Sequence, residues 1–302
     1  MCSSDLVDNA GPDDKEEESL PGAIHSKVAS AIGIEKLKGF KLSELFAEVF
    51  SKHSREEVED YFTTGTAKST PDILEVNTSW PKPWLFMRMT IASLILFFLF
   101  WAGWKQFENP NLLPGLMMVG SFAIPISTLV LFMELNIRRN VSLYMVARYV
   151  FRGGIISLSI ALFIFSLLNS GLLPNANFVK VLGASCAGPV EETAKVLAMV
   201  IVAKSARYKY KLNGLLVGAA VGTGFSAFES MGYALNCFVD GTVSTMVKAL
   251  QEGIVKDYGG DPLEVAKQFG VTFGGADAML DNIILRGVLS PLGHIVWSAI
   301  AW

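Results

Sequence analysis

Five apolar runs, each about as long as a bilayer is thick, limit what this chain can fold into. They are Trp84 to Trp104, Leu112 to Leu135, Gly153 to Leu173, Phe178 to Ala203 and Leu212 to Val239, and a sixth begins near Leu289 and reaches Trp302. A helix needs about 20 apolar residues to cross roughly 30 Å of hydrocarbon. In that solvent every backbone amide needs an internal partner, so such runs are helical. The chain is 51% hydrophobic and 18% charged, against about 25% charged in average soluble chains. The predicted fold class is all-α: a polytopic transmembrane helix bundle of about six spans, the last one truncated, with a small helical region ahead of it. A net charge of -3, with no dense basic run, excludes nucleic acid as a partner. Cys2, Cys186 and Cys237 lie too far apart for a disulfide scaffold or a zinc finger.

Residues 1–83 read as a separate N-terminal region. Residues 1–40 are polar and acidic and read as largely disordered; they lack the apolar core of a cleavable signal peptide. Within 41–62, Leu42, Leu45, Phe46, Val49 and Phe50, then Val58, Tyr61 and Phe62, recur at helical spacing. Ser43 and Ser54 stand where N-caps would, so the pattern predicts amphipathic helices over Leu42–Ser51 and Arg55–Phe62. Residues 63–83 carry the Thr, Ser, Gly and Pro of a linker. The transmembrane part is 84–302. Trp80, Trp84, Trp101 and Trp104 flank its first run as interface anchors. Pro125 is placed to kink the second run, and Gly214, Gly218, Gly222 and Gly224 suit close helix packing in the fifth.

Loop charges give orientation. Arg138, Arg139, Arg148 and Arg152 follow the second run, and Lys204, Arg207, Lys209 and Lys211 follow the fourth, whereas the other loops hold one lysine each, Lys105 and Lys180. The N-terminus and the basic loops are therefore expected in the cytoplasm, and loop 240–286 outside the cell membrane. Arg88 is expected to snorkel to the interface, Glu134 to pair with Arg138, His53 to be solvated, and Asp277, Asp281, Asn282 and Arg286 to form a solvated face or, as the alternative, to line the outer mouth of a polar site.

Ionisable side chains at bilayer depth are costly and mark function. The fourth run holds Gly188-Pro-Val-Glu-Glu-Thr-Ala-Lys195, the fifth Glu229 and the sixth His294. With the topology above, Glu191 lies roughly 20 Å from the outer start of its run and Glu229 roughly 15 Å from the outer end of its own. His294 falls in the first turns of the last run, so the three can meet in the outer half of the bilayer. Lys195 is four residues from Glu191 and three from Glu192, within reach of either; the two glutamates point about 100° apart. A carboxylate can act as general base on water, and a histidine can donate to an oxyanion or bind a metal. The set suits hydrolysis of a peptide bond in or near the membrane. It equally suits the relay of a proton-coupled transporter, and a Glu–Lys pair alone suits a non-catalytic membrane scaffold or sensor. The inverted repeats common among transporters are not visible.

Glu191-Glu192-Thr-Ala-Lys195 resembles the EExxK motif of the PrsW-type intramembrane proteases. Phe225-Ser-Ala-Phe-Glu229, with Tyr233 after it, resembles the family's FxxxE motif. His294-Ile-Val-Trp-Ser298-Ala-Ile resembles its third, a histidine opening the last conserved segment. The motifs stand in the family's order, and the resemblance covers about residues 84–302. That family is distantly similar to CAAX prenyl endopeptidases and bacteriocin-processing membrane proteases. The resemblance implies an endopeptidase that cuts a membrane-anchored protein near the outer face, as in site-1 cleavage of an anti-sigma factor during regulated proteolysis. It implies Glu191, Glu192, Glu229 and His294 as the catalytic set. Glu191 or Glu192 would activate water, while Glu229 and His294 orient it and stabilise the oxyanion. Lys195 would set the charge of the pair, with Phe225, Tyr233 and Ser298 in support. A zinc ion, if held, would take Glu192, Glu229 and His294; the better-understood relatives are read as glutamic proteases. Ser230 departs from the family pattern, where Asn often follows the FxxxE glutamate.

Overall fold

A computed structural model of the chain describes residues 46–169, 187–202, 210–251 and 271–301, less residues 67, 73, 75 and 77–80. The expected disorder of 1–40 and the anchor Trp80 lie outside these residues. Every regular element among them is helical. Helix α1 is Arg55–Thr63, and the Ser54 hydroxyl accepts from the Glu57 amide at 3.2 Å, as an N-cap does.

The described part of the other predicted amphipathic helix, 46–51, forms turns instead. The cause is Arg88. Its Nε donates to the Val49 carbonyl at 2.8 Å and its Nη2 to the Ser51 carbonyl, taking acceptors a continuing helix would use. Arg88 also lies 4.7 Å over the Trp84 ring, so it does not snorkel. His53 stacks flat on the Trp84 ring, with centroids 3.7 Å apart, and is not a solvated side chain. Trp84 and Trp104 are buried: they fill the core rather than anchor at an interface. Gly65 adopts φ +98° with its Cα pressed on the Val141–Ser142 backbone, which draws this part of the linker onto the bundle.

Helix α2 is Leu85–Phe107 and α3 is Leu113–Leu135, which continues through Pro125. Glu134, near the end of α3, accepts from the Trp84, Leu85 and Phe86 amides at 2.9, 2.9 and 3.0 Å. It caps the start of α2, where the unpaired amides and helix dipole favour an anion. It does not pair with Arg138, whose guanidinium lies 4.3 Å over the Tyr210 ring. Helix α4, Leu143–Arg148, runs through a π turn, Tyr149–Gly153, into α5, Gly154–Asn169. Then come α6, Ala187–Val202, and α7, Lys211–Gln251. Helix α8, Val271–Ser290, passes through a second π turn, Pro291–Ile295, into α9, Val296–Ala301.

Among the described residues three stretches are long and apolar enough to cross a membrane, Leu85–Phe107, Pro110–Leu135 and Leu143–Leu168. A fourth is gained if Gly274–Leu289 and Gly293–Ala301, bent by 44°, form one span. Only 16 residues of α6 are described, and Asn213, Glu229 and several glycines dilute the apolar character of α7, so neither of these two runs is among the stretches above. Large apolar side chains such as Leu94, Ile95, Phe98, Leu99, Leu162 and Phe163 point outward, as on a surface solvated by lipid.

Helix α7 is the axis. From Asn213 to Ser230 only Leu215 and Phe228 escape full burial, the mark of a helix enclosed on all sides. Its 41 residues reach roughly 60 Å at 1.5 Å per residue, about twice the hydrocarbon thickness. Within the segment read as loop 240–286 the described residues are helical. Residues 240–251 continue α7, and α8 is described from Val271, well before the run read at Leu289. The two helices are antiparallel: Gly241 meets Gly275, Ser230 meets Arg286 and Phe225 meets His294. Ala234, Ala276, Met279, Leu280 and Ile283 pack with Trp104 and Leu116 in one core cluster.

Candidate functional site

The helix bearing both glutamates is described from Ala187, with Pro189 in its first turn, where a missing N–H costs no hydrogen bond. Glu191 and Glu192 therefore sit at the start of the second turn. Glu229 lies in the buried middle of α7. His294 sits in the π turn before α9; a π turn adds one residue and re-aims the side chains it carries, and such turns are frequent at functional sites.

Two close backbone approaches bring these elements together. At Gly222 an added Cβ would collide with the His294 carbonyl and the Ser298 hydroxyl, and at Gly224 with the Val150 carbonyl in the other π turn. Only glycine lets α7 contact both π turns at backbone distance. The Ser298 hydroxyl donates to the His294 carbonyl at 2.5 Å, so Ser298 steadies the turn and does not touch the imidazole. The Phe225 ring lies 5.3 Å from the His294 ring and is buried.

The polar atoms converge. One ligand atom each from Glu191, Glu229 and His294 lie within 4.8 Å of one another. His294 Nδ1 is 3.7 Å from Glu191 Oε2, and His294 Nε2 is 3.3 Å from Glu229 Oε2. Glu192 turns elsewhere, as two adjacent helical residues must. Its Oε1 accepts from Lys195 Nζ at 2.5 Å. Lys195 Nζ also lies 3.1 Å from His294 Nδ1 and 4.8 Å from the Phe225 ring, with no exposed side-chain surface. An ammonium is a donor only, so Nδ1 accepts from it and the imidazole proton is assigned to Nε2, facing Glu229.

Sequence reasoning missed one member of this cluster. Arg286 was read as part of a solvated face, yet its Nη2 donates to Glu229 Oε2 and its Nε to the Ser230 hydroxyl at 3.0 Å. The guanidinium lies 4.6 Å from the Tyr233 ring centroid. Ser230, the departure from the family pattern, thus supports an arginine, and Tyr233 carries its charge on the ring face. The available signal was the apolar helical spacing of Ala276, Met279, Leu280 and Ile283 around it. Asp277 and Asp281 remain exposed, with Asp277 3.2 Å from Lys105.

The residues fit a divalent metal. Two carboxylate oxygens and one imidazole nitrogen are usual zinc donors, and three protein ligands leave a position open; His294 would serve by giving up either the Nε2 proton or the Lys195 contact on Nδ1. The converging set is Glu191, Glu229 and His294; Glu192 is engaged by Lys195. A cavity of about 280 Å³ adjoins Glu191 and Glu229 between α5 and α7.

Carboxylates and a histidine gathered inside an all-helical bundle define a buried ionisable site of the kind that intramembrane proteases and proton-coupled transporters both build. The PrsW family intramembrane metalloprotease model matches residues 142–301, just over half of the chain, and the chain belongs to that family. The matched region contains every residue of the cluster. No curated protein and no solved structure matches the chain.

Proposed function

We propose that this protein is an endopeptidase that cuts a membrane-anchored protein at a bond near the outer membrane face. The observation that carries it is the meeting of Glu191, Glu229 and His294, from three separate helices, within 4.8 Å. Burying such groups costs several kcal/mol unless they are paired, and a scaffold gains nothing from assembling them. The proposed substrate, an anti-sigma factor or similar single-pass regulator, rests on the motif resemblance. So does the orientation with the N-terminus in the cytoplasm.

In this reading Glu191, Glu229 and His294 would hold a zinc ion, which when bound activates water and polarises a carbonyl. The chain's own groups do the rest. Glu192 takes the proton of the attacking water on Oε2, because Lys195 occupies Oε1, and returns it to the leaving amine. Arg286 holds the Glu229 carboxylate in place and keeps positive charge near the developing oxyanion. Lys195 fixes Glu192 relative to His294. The apolar walls of α5 and α7 limit water to the reacting centre.

The test is cleavage of candidate single-pass substrates by the full chain in lipid. Glu191→Gln, Glu192→Gln and His294→Ala should each lower cleavage by at least about 10²-fold in protein that still melts cooperatively. Chelator should abolish cleavage and zinc restore it. Cleavage that survives chelation but not Glu191→Gln would point to a glutamic mechanism. Cleavage that survives all three substitutions would refute the site.

A further inference from the structure

The cavity beside the carboxylates has an asymmetric lining. Leu158, Leu162 and Phe165 of α5 form one wall, and Phe228 and Gly232 of α7 the other. Glu191 and Glu229 close its inner end. Leu162, Gly232 and Tyr233 are exposed at its mouth, on the flank of a helix whose outer residues are apolar. The cleft therefore opens sideways, toward where lipid would be, and ends at the reacting groups. Its volume of about 280 Å³ suits one large side chain rather than a whole helix. Gly232 supports this: a Cβ built there meets nothing within 4 Å. Unlike Gly222 and Gly224, it lets no neighbouring backbone approach. A glycine inside a helix costs about 1 kcal/mol relative to alanine, and here what it leaves is space in the cleft.

Resting on the protease reading, we infer that this cleft is the specificity pocket. It takes the large apolar side chain, leucine or phenylalanine, that flanks the scissile bond of a substrate entering laterally from the membrane. A side chain seated there lies against Glu191 and Glu229, which places the adjoining peptide bond at the carboxylate–histidine cluster. Gly232 sets the width of the pocket, and Leu162 stands at its mouth.

The experiment uses the full chain in liposomes with single-pass peptides that differ at one position near the outer border, carrying Ala, Leu, Phe or a photoreactive leucine. Wild type should cleave beside Leu or Phe at least about tenfold faster than beside Ala, the scale of discrimination apolar pockets reach. Gly232→Leu, whose Cβ meets nothing within 4 Å, should cut that ratio about tenfold while leaving the melting temperature at or above that of wild type. In the Glu191→Gln background the photoreactive leucine should crosslink to α5 at Leu158, Leu162 or Phe165, and Gly232→Leu should remove the crosslink. Cleavage with an unchanged preference in Gly232→Leu, or crosslinks only elsewhere, overturns the pocket but not the protease. Crosslinks in the cleft without any cleavage sustain the pocket and sink the protease. Neither cleavage nor cleft crosslinks overturns both.

Discussion

Arg286→Met removes one charge from the middle of the bundle and keeps most of the side chain's length. Glu229 retains 9% of its side-chain exposure and Arg286 20%, so the pair is largely desolvated. Breaking a buried ion pair from one side costs about 3–5 kcal/mol. The residual exposure of Arg286 places this one at the lower end, about 3 kcal/mol. For a chain of this size that corresponds to a fall of roughly 5 °C in melting temperature. Glu229→Gln should cost a similar amount, because it strands the guanidinium between Ser230 and Tyr233. The double variant should cost less than the two single losses together, by about 2 kcal/mol. Arg286→Lys should recover only part of the loss, since an ammonium lacks the planar fork that reaches Ser230 and Glu229 at once. The assay is thermal unfolding in detergent followed by tryptophan fluorescence, with all four variants in parallel. Additive losses, or an Arg286→Met variant melting within about 2 °C of wild type, would show that the pair is a surface contact and that α8 is not fastened to the site through it.

Gly222→Ala puts a methyl group against the His294 carbonyl and the Ser298 hydroxyl. Overpacking of this kind costs about 1–3 kcal/mol, but a misplacement of His294 by about 1 Å should lower cleavage by about 10²-fold; cleavage that tracks wild type would refute the packing argument. Glu134→Gln replaces the charged acceptor of three amides at the start of α2 and should lower stability by about 1 kcal/mol. It lies away from the reacting groups, so calorimetry should show the loss while cleavage stays at the wild-type rate.

Much of the bundle was legible because lipid solvation imposes one rule on every long apolar run. The meeting of Glu191, Glu229 and His294 followed from rise per residue and alternating loop charge, and the structure brings those residues together. The failures have a common cause. Arg88, Glu134, His53 and Arg286 were each assigned to water or to an interface on the strength of their charge alone. In the structure Arg88 and Glu134 bind backbone groups, and backbone acceptors and amides are present everywhere and leave no trace in residue identity. His53 lies on an aromatic face, and Arg286 lies on another while binding two side chains from α7. Helix phase around Glu192 was foreseeable, since adjacent residues diverge by about 100°. Which glutamate faces His294 was not, because it depends on the rotation of α6 about its axis.

Charge balance explains why this cluster is placed as it is. Three carboxylates, Glu191, Glu192 and Glu229, share the site with two cations, Lys195 and Arg286. Lys195 is bonded to Glu192 and Arg286 to Glu229. Glu191 has only the imidazole, at 3.7 Å, as its ion-pair partner among the described residues. One negative charge is thus left without a dedicated cation in an apolar bundle, where it is costly. Structural clusters are selected to cancel such a charge, and a substitution to glutamine would do so. Its retention makes sense where a proton or a divalent cation must come and go at that oxygen. The consequence is directional: Glu191→Gln should stabilise the fold while abolishing cleavage, whereas Glu192→Gln and Glu229→Gln should each lose both, because each strands a cation that the native site compensates.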